Sequence, residues 1–143
     1  MNIRSAMPLD LDTVLAADAT AQHDFPRRRL LERCIRENTC WVVEADGRIR
    51  GFLVLDYSFY GNGFVSLLVV HEDARRLGMG RALLQHAATI CETPKLFTST
   101  NESNAAMRAL LADAGFVASG IIHDLDPGDP ELVFVRRRSE TIA

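Results

Sequence analysis

Residues 64–70, Phe-Val-Ser-Leu-Leu-Val-Val, form an almost wholly apolar run. The chain then crosses the polar stretch 71–76, passes two glycines, Gly78 and Gly80, and enters a segment with Leu83, Ala87, Ile90 and Cys91 on one face before Pro94. The run reads as a strand buried on both faces and the segment after it as an amphipathic helix over about residues 80–93. Another strand pattern follows at residues 95–100. A strand, a helix and a strand in that order demand a parallel crossover with the helix lying on one face of a sheet.

The other segments complete the order. Residues 3–6 suit a short strand, and Pro8 with Leu11, Val14 and Leu15 predicts a helix at about 8–20. Asp24 and Pro26 restart the helical signal, with Leu31, Cys34 and Ile35 as its stripe and Asn38 as its end. Two β-rich runs around Asp46-Gly47 read as an antiparallel hairpin, which continues through a turn at Gly61-Asn62-Gly63 into the central strand. After the crossover, Ser103 can cap a helix carrying Met107, Leu110, Leu111 and Ala114, and Gly115 stops it. Two closing strands, 116–125 and 131–137, flank Asp126-Pro127-Gly128-Asp129-Pro130. The order βααβββαβαββ predicts one α/β domain over residues 1–143 with a mixed, mostly antiparallel central sheet.

Composition narrows the function. With 143 residues, 48% of them hydrophobic, the chain can bury a core without staples. Sixteen Lys and Arg against nineteen Asp and Glu, 16 − 19 = −3, give no electrostatic case for nucleic acid or an anionic membrane. Any anion must therefore be captured locally. Cys34, Cys40 and Cys91 lack the paired spacing of zinc and redox motifs, and no His/Cys/carboxylate cluster has ligand spacing, so no metal is expected. No window approaches the ~18 apolar residues of a membrane span, and the amino terminus lacks a signal-length apolar stretch. A soluble cytoplasmic protein with reduced thiols is the expectation.

Local anion capture has a place, the segment carrying Leu68, Val69, Val70, Arg75, Arg76, Leu77, Gly78, Met79, Gly80 and Arg81. The first amides of a helix have no internal partners and sit at the positive end of its dipole. Gly78 and Gly80 carry no side chain to hold phosphate oxygens away, and three arginines add charge, which suits a pyrophosphate. Glycines at a strand-to-helix turn also serve the turn itself. Two other phosphate motifs fail: there is no Gly-Lys-Ser/Thr, and no third glycine with an acidic ribose partner.

Arg75-x-x-Gly78-x-Gly80 is similar to the Gln/Arg-x-x-Gly-x-Gly/Ala signature of the GNAT superfamily of N-acetyltransferases. Thr100-Asn101-Glu102-Ser103-Asn104, followed by a helix ending Ala114-Gly115-Phe116, resembles the family's second landmark, and the element order matches over nearly the whole chain. The resemblance implies transfer of an acetyl group from acetyl coenzyme A to a primary amine in a ternary complex, with no covalent acyl-enzyme and no metal. It places pantetheine along the backbone of Leu68, Val69 and Val70, and the pyrophosphate in the cradle formed by Arg75, Arg76, Leu77, Gly78, Met79, Gly80 and Arg81. Asn104 would contact pantetheine or its neighbourhood and Arg108 the phosphates, although Asn104 can equally be only a helix-start residue. On the same reading Gly80→Asp abolishes coenzyme binding and leaves the fold intact.

Such a reaction must deprotonate the amine, stabilise an oxyanion and protonate the leaving sulfur. A backbone amide near Val70 suits the second task. For the third the family often places a tyrosine seven residues after the asparagine, and here Leu111 stands there, on an apolar stripe that accounts for it. Water or another residue then protonates the sulfur, or the chain is slow or a non-catalytic acyl-coenzyme-A-binding module. His23 and Asp24, at the junction of the first two helices, are the candidate base, with a helix cap beside a solvated histidine as the plainer reading. Ser66 reads as a small core residue, His71 and Glu72 as the start of the turn, His86 as outward-facing, and Arg27-Arg28-Arg29 as a solvated helix face. Asp56, Tyr57 and Tyr60 either line the acceptor cleft or pack. The acceptor is a small-molecule amine or a protein amino terminus, and the closing strands can pair across a homodimer.

Overall fold

A computed structural model describes residues 1–19 and 24–139. Its strands are β1 (Asn2–Ser5), β2 (Cys40–Ala45), β3 (Arg48–Phe59), β4 (Asn62–Val70), β5 (Lys95–Asn101), β6 (Val117–Ile122) and β7 (Glu131–Arg137). The helices are α1 (Leu11–Ala17), α2 (Phe25–Arg36), α3 (Met79–Ile90) and α4 (Ala105–Asp113). Among the described residues the order is the expected βααβββαβαββ, with short 3₁₀ turns at Pro8–Asp10 and Glu72–Ala74. The strands form one seven-stranded sheet ordered β1-β2-β3-β4-β5-β7-β6. Every neighbouring pair is antiparallel except β4 with β5, where the crossover through α3 makes them parallel.

One departure from strict alternation shapes the middle of the sheet. Val54 pairs with Leu67 but Leu55 pairs with Val65, so Ser66 is an extra residue without a partner on β3. This bulge shifts parity: Val65 and Leu68, three apart, both face the α3 side. A bulge bends its strand and adds twist. The consequence falls one strand over, because β4 pairs with β5 only from Gly63↔Leu96 to Val65↔Thr98, and the two then separate. The expectation that residues 64–70 are buried on both faces is therefore met only in part: Val65 is buried, Ser66 is exposed and Leu67 to Val70 are half-buried. Ser66 is a bulge residue at the surface rather than a small core residue.

The core has two layers divided by the sheet. On one side Leu83, Leu84 and Ala87 of α3 and Leu111 of α4 pack on Leu53, Leu55, Val65, Leu96 and Phe134. On the other side Val14 and Leu15 of α1 and Leu31, Cys34 and Ile35 of α2 pack on Cys40, Val42, Phe52 and Val54. Phe52 and Leu53, adjacent in β3 and fully buried, belong to opposite layers. Each such side chain contributes roughly 1.5–3 kcal/mol by leaving water.

Local chemistry sets the helix ends. Asp24 caps α2 by accepting from the Arg27 amide at 3.2 Å. Asn104, rather than Ser103, caps α4, its Oδ1 accepting from the Met107 amide at 3.1 Å. Ser103 Oγ instead donates to Asp129 at 2.6 Å. Gly115 follows α4 at φ +88°, as its place in the sequence suggested. His86 does not face outward: its ring lies 4.6 Å from that of Trp41 on β2, and burial lowers its pKa. Arg27 and Arg28 are not merely solvated, since they reach Asp18 at 2.8 Å and Asp12 at 3.7 Å and tie α2 to α1.

Candidate active site

Beyond Val65↔Thr98, residues 66–70 of β4 have no neighbour on the β5 side, while Ser99, Thr100 and Asn101 of β5 turn to β7 alone. The two strands form the walls of a cleft whose closed end is fixed by Thr98, whose hydroxyl donates to the Val65 carbonyl at 2.9 Å. An unpaired strand edge inside a sheet presents a row of amides and carbonyls that an extended ligand can complete. Leu68, Val69 and Val70 all lie on this edge.

The open edge leads into the glycine turn. His71 Nδ1 accepts from the Asp73 amide at 3.2 Å and Glu72 begins the 3₁₀ turn, as expected of both residues. Arg76 takes a left-handed φ of +67° and Gly78, the residue preceding α3, takes +82°. No side chain caps this end of the helix, and a Cβ on Gly78 would meet nothing within 4 Å. The first amides of α3 therefore have no side-chain cap at the positive end of a twelve-residue helix. Arg75 Nε donates to the Val70 carbonyl at 3.3 Å, which holds its guanidinium at the junction of edge and turn. Leu77 is exposed and Met79 buried, so the second anchors the turn from below.

Gly80 has a packing task besides the one its spacing suggested. It is buried, and a Cβ there would lie 2.9 Å from Leu110 Cδ2 and 3.7 Å from Val70 Cγ2. Its small size lets α3 approach α4 and β4, so Gly80→Asp would bury a carboxylate among apolar groups and damage folding. Arg81 likewise points along the surface to Asp113, at 2.9 Å.

The second landmark lies across the cleft. Asn104 is engaged as the α4 cap, and Arg108 donates to the Glu102 carbonyl at 3.1 Å, both at the exposed mouth. Asn101 donates to Asp126 at 2.8 Å and Ser103 to Asp129, so this loop is pinned to the β6–β7 connection. Leu111 is 1% exposed, a core residue without chemistry.

The catalytic candidates are less well gathered. His23 lies outside the described residues, and Asp24 is committed to its capping bond. Tyr57 accepts from the Glu92 amide at 3.0 Å, Asp56 binds Ser58, and Tyr60 sits in the β3–β4 turn, at the opposite end of β4 from the glycine turn. A carboxylate not singled out by sequence, Glu131, opens β7 opposite Asn101; burial first, then Asp126 and Asp129, pushes its pKa up. No local motif marks it, because its neighbours come from the turn preceding it and from burial. All three cysteines are unpaired and buried; burial raises the Cys34 thiol and pushes Cys40 up to about 12, far from a thiolate nucleophile. Among the described residues no three His, Cys, Asp or Glu side chains are placed to hold a metal, and no helix is long and apolar enough to cross a membrane.

Known proteins share this arrangement. Residues 9–116 match the model of the acetyltransferase (GNAT) family. A GNAT-family acetyltransferase from Bacillus cereus ATCC 10987, known from its crystal structure, is 36% identical and superposes with a TM-score of 0.91 over 97% of this chain and 98% of its own. The 5-NmdU N-acetyltransferase of Pseudomonas phage PaMx11 is 25% identical over 123 residues, which cover 82% of this chain and 88% of that protein. The ribosomal-protein-S18-alanine N-acetyltransferase of Escherichia coli, at 21% identity and a TM-score of 0.78 over 98% of this chain and 95% of its own, shares the fold. With the signature turn, the splayed β4–β5 pair and a family match over most of its length, the chain belongs to the GNAT family of acetyltransferases.

Proposed function

We propose that this GNAT chain moves an acetyl group from acetyl coenzyme A onto a primary amine by direct transfer, with both substrates bound together. The observation that carries the reading is the continuity of an unpaired strand edge at residues 66–70 with an uncapped helix start at Gly78. An extended amide-bearing arm can join the edge as a further strand, and a pyrophosphate suits the helix start. Coenzyme A carries those two parts in series, which is why the residues present fit it. Bound there, it would supply an activated acyl thioester.

Leu68, Val69 and Val70 would hold the pantetheine through their main chain. Arg75, Arg76, Leu77, Gly78, Met79, Gly80 and Arg81 form the turn whose amides would take the pyrophosphate, with Arg75 nearest the edge. Asn104 and Arg108 stand at the mouth, where either can meet the coenzyme by giving up its present bond. A β4 amide near Val70 would polarise the acyl carbonyl. The acceptor would enter from the α1/α2 side, where Asp24 with His23, or the raised carboxylate of Glu131, can take its proton. The buried, protonated Cys34 and Cys40 thiols support transfer without a covalent acyl-enzyme.

A second reading, a non-catalytic acyl-coenzyme-A-binding module, is favoured by the core position of Leu111. Thiol release from acetyl coenzyme A against a panel of amines separates the two. Amine-dependent release supports the enzyme; binding without release supports the module; neither binding nor release sinks both. 5-NmdU and a ribosomal-protein alanine, named for two of the similar proteins, are different acceptors, so the panel needs small amines and peptide amino termini alike. Three unpaired cysteines support action in a reducing compartment such as the cytoplasm. The free edge of β6, uncharged from Val117 to Ile122, supports pairing with a second copy.

A further inference from the structure

Among the described residues only three polar side chains are buried, those of Asp18, Thr98 and Thr100. Asp18 is paired with Arg27 and Thr98 donates to the Val65 carbonyl. Thr100, 8% exposed, has no hydrogen-bond partner for its hydroxyl. A hydroxyl that the protein itself leaves without a partner is available to water or to a ligand. The hydroxyl is not sealed off, because the one fully enclosed unpartnered polar side-chain atom among the described residues is His86 Nε2. Thr100 Oγ1 therefore keeps some access to solvent.

Its position within the cleft follows from register. Thr100 pairs with Leu132 and Thr98 with Phe134, and cross-strand partners share a face. Phe134 belongs to the α3/α4 core layer, and Leu132 packs against it, as Leu111 does from α4. Thr100 thus lies on the Leu111 side of the sheet, two residues beyond the last β4–β5 pair, where the strands have parted. At that level the cleft walls on this side are otherwise apolar: Leu68 and Val70 from β4, Leu110 and Leu111 from α4.

We propose that the Thr100 hydroxyl is the hydrogen-bond donor to the coenzyme's sulfur in this chain, supplying from β5 what Leu111 cannot supply from α4. The inference rests on the acetyl-transfer reading above. As the amine nitrogen bonds to the acyl carbon and the carbon–sulfur bond breaks, the electron pair goes to sulfur. Thr100 Oγ–H donates to that developing thiolate without surrendering its proton. The proton lost by the amine passes to the base on the acceptor side and from there to solvent, and the thiolate takes one from solvent on release. A hydrogen bond to a charged acceptor corresponds to about a ten- to hundredfold effect on rate.

Thr100→Val keeps the side chain's shape and removes the hydroxyl; Thr100→Ser keeps the hydroxyl. Three readouts are compared with wild type. Thermal stability of the free Val variant should stay close to wild type, since no hydrogen bond within the protein is lost. Coenzyme A affinity, titrated from about pH 7 to 10, should rise with pH in wild type and Thr100→Ser as the bound thiol ionises, and stay flat in Thr100→Val. Acetyl coenzyme A, which has no thiol to ionise, serves as the reference in all three. Amine-dependent thiol release should fall about ten- to hundredfold in Thr100→Val with the KM for acetyl coenzyme A nearly unchanged, and recover in Thr100→Ser. If the Val variant does not fold, Thr100→Ala is read in its place. A Val or Ala variant that keeps both the rising affinity and the wild-type rate overturns the role of Thr100 alone. Failure of wild type to bind either coenzyme overturns the acetyl-transfer reading and this inference with it.

Discussion

Gly78→Asp tests the helix start with little structural damage. At φ +82° a side chain is strained, yet a Cβ would meet no atom within 4 Å. The left-handed conformation costs a non-glycine residue about 1–2 kcal/mol, less for Asp than for most, so the loss should be about 1 kcal/mol. For a chain of this length that lowers Tm by about 3 °C. The new carboxylate would stand beside the proposed pyrophosphate, and two like charges ~5 Å apart repel by about 1–3 kcal/mol between the water and protein-surface limits. Acetyl coenzyme A should bind about ten- to a hundredfold more weakly by calorimetry. Gly61→Asp is the matched control: its φ is +75°, its Cβ is equally unhindered, and it lies in the β3–β4 turn. It should lose the same stability and no affinity. Equal affinity losses in both variants, or none in a folded Gly78→Asp, would refute the assignment of the anion to this turn.

Two further outcomes follow from packing. Arg138 donates to the Cys91 and Thr93 carbonyls at 2.6 and 3.5 Å just past the C-terminus of α3; Arg138→Ala should cost about 1–2 kcal/mol, a Tm loss of roughly 3–6 °C, and leave coenzyme affinity unchanged. Burial holds the pKa of His86 below the ordinary 6.5, so below about that pH the unfolded chain binds the proton more readily, and stability falls as pH drops from 6.5 toward the folded value. His86→Leu should flatten that slope in pH-dependent melts, and Trp41, the chain's one tryptophan, should report the folded midpoint below 6.5 by fluorescence.

What was legible in the sequence was what neighbouring residues encode. The strand, turn and helix around Gly78 follow one another without interruption from Asn62 to Ile90, and the order of elements followed from periodicity and turn chemistry. What escaped depends on residues far apart. The bulge at Ser66 is a mismatch of register between β3 and β4, invisible in either strand alone, and beyond it β4 parts from β5. Gly80 looked like a phosphate residue because it follows Gly78, whereas its size is fixed by Leu110 from another helix. His86 looked outward on its helix until Trp41 came across from β2. Thr100 stood in the sequence only as the end of a strand and the first residue of the second landmark, and its significance required the parting of β4 from β5 and the face shared with Leu111.

The central claim, that one continuous surface from the open edge of β4 to the start of α3 receives acetyl coenzyme A, is tested most directly by amide hydrogen exchange with and without that ligand. The account predicts slowed exchange concentrated in residues 66–70 and 76–81, from main-chain bonds to the pantetheine and pyrophosphate. Unchanged exchange in both segments at saturating acetyl coenzyme A, or protection confined to another part of the sheet, would contradict it.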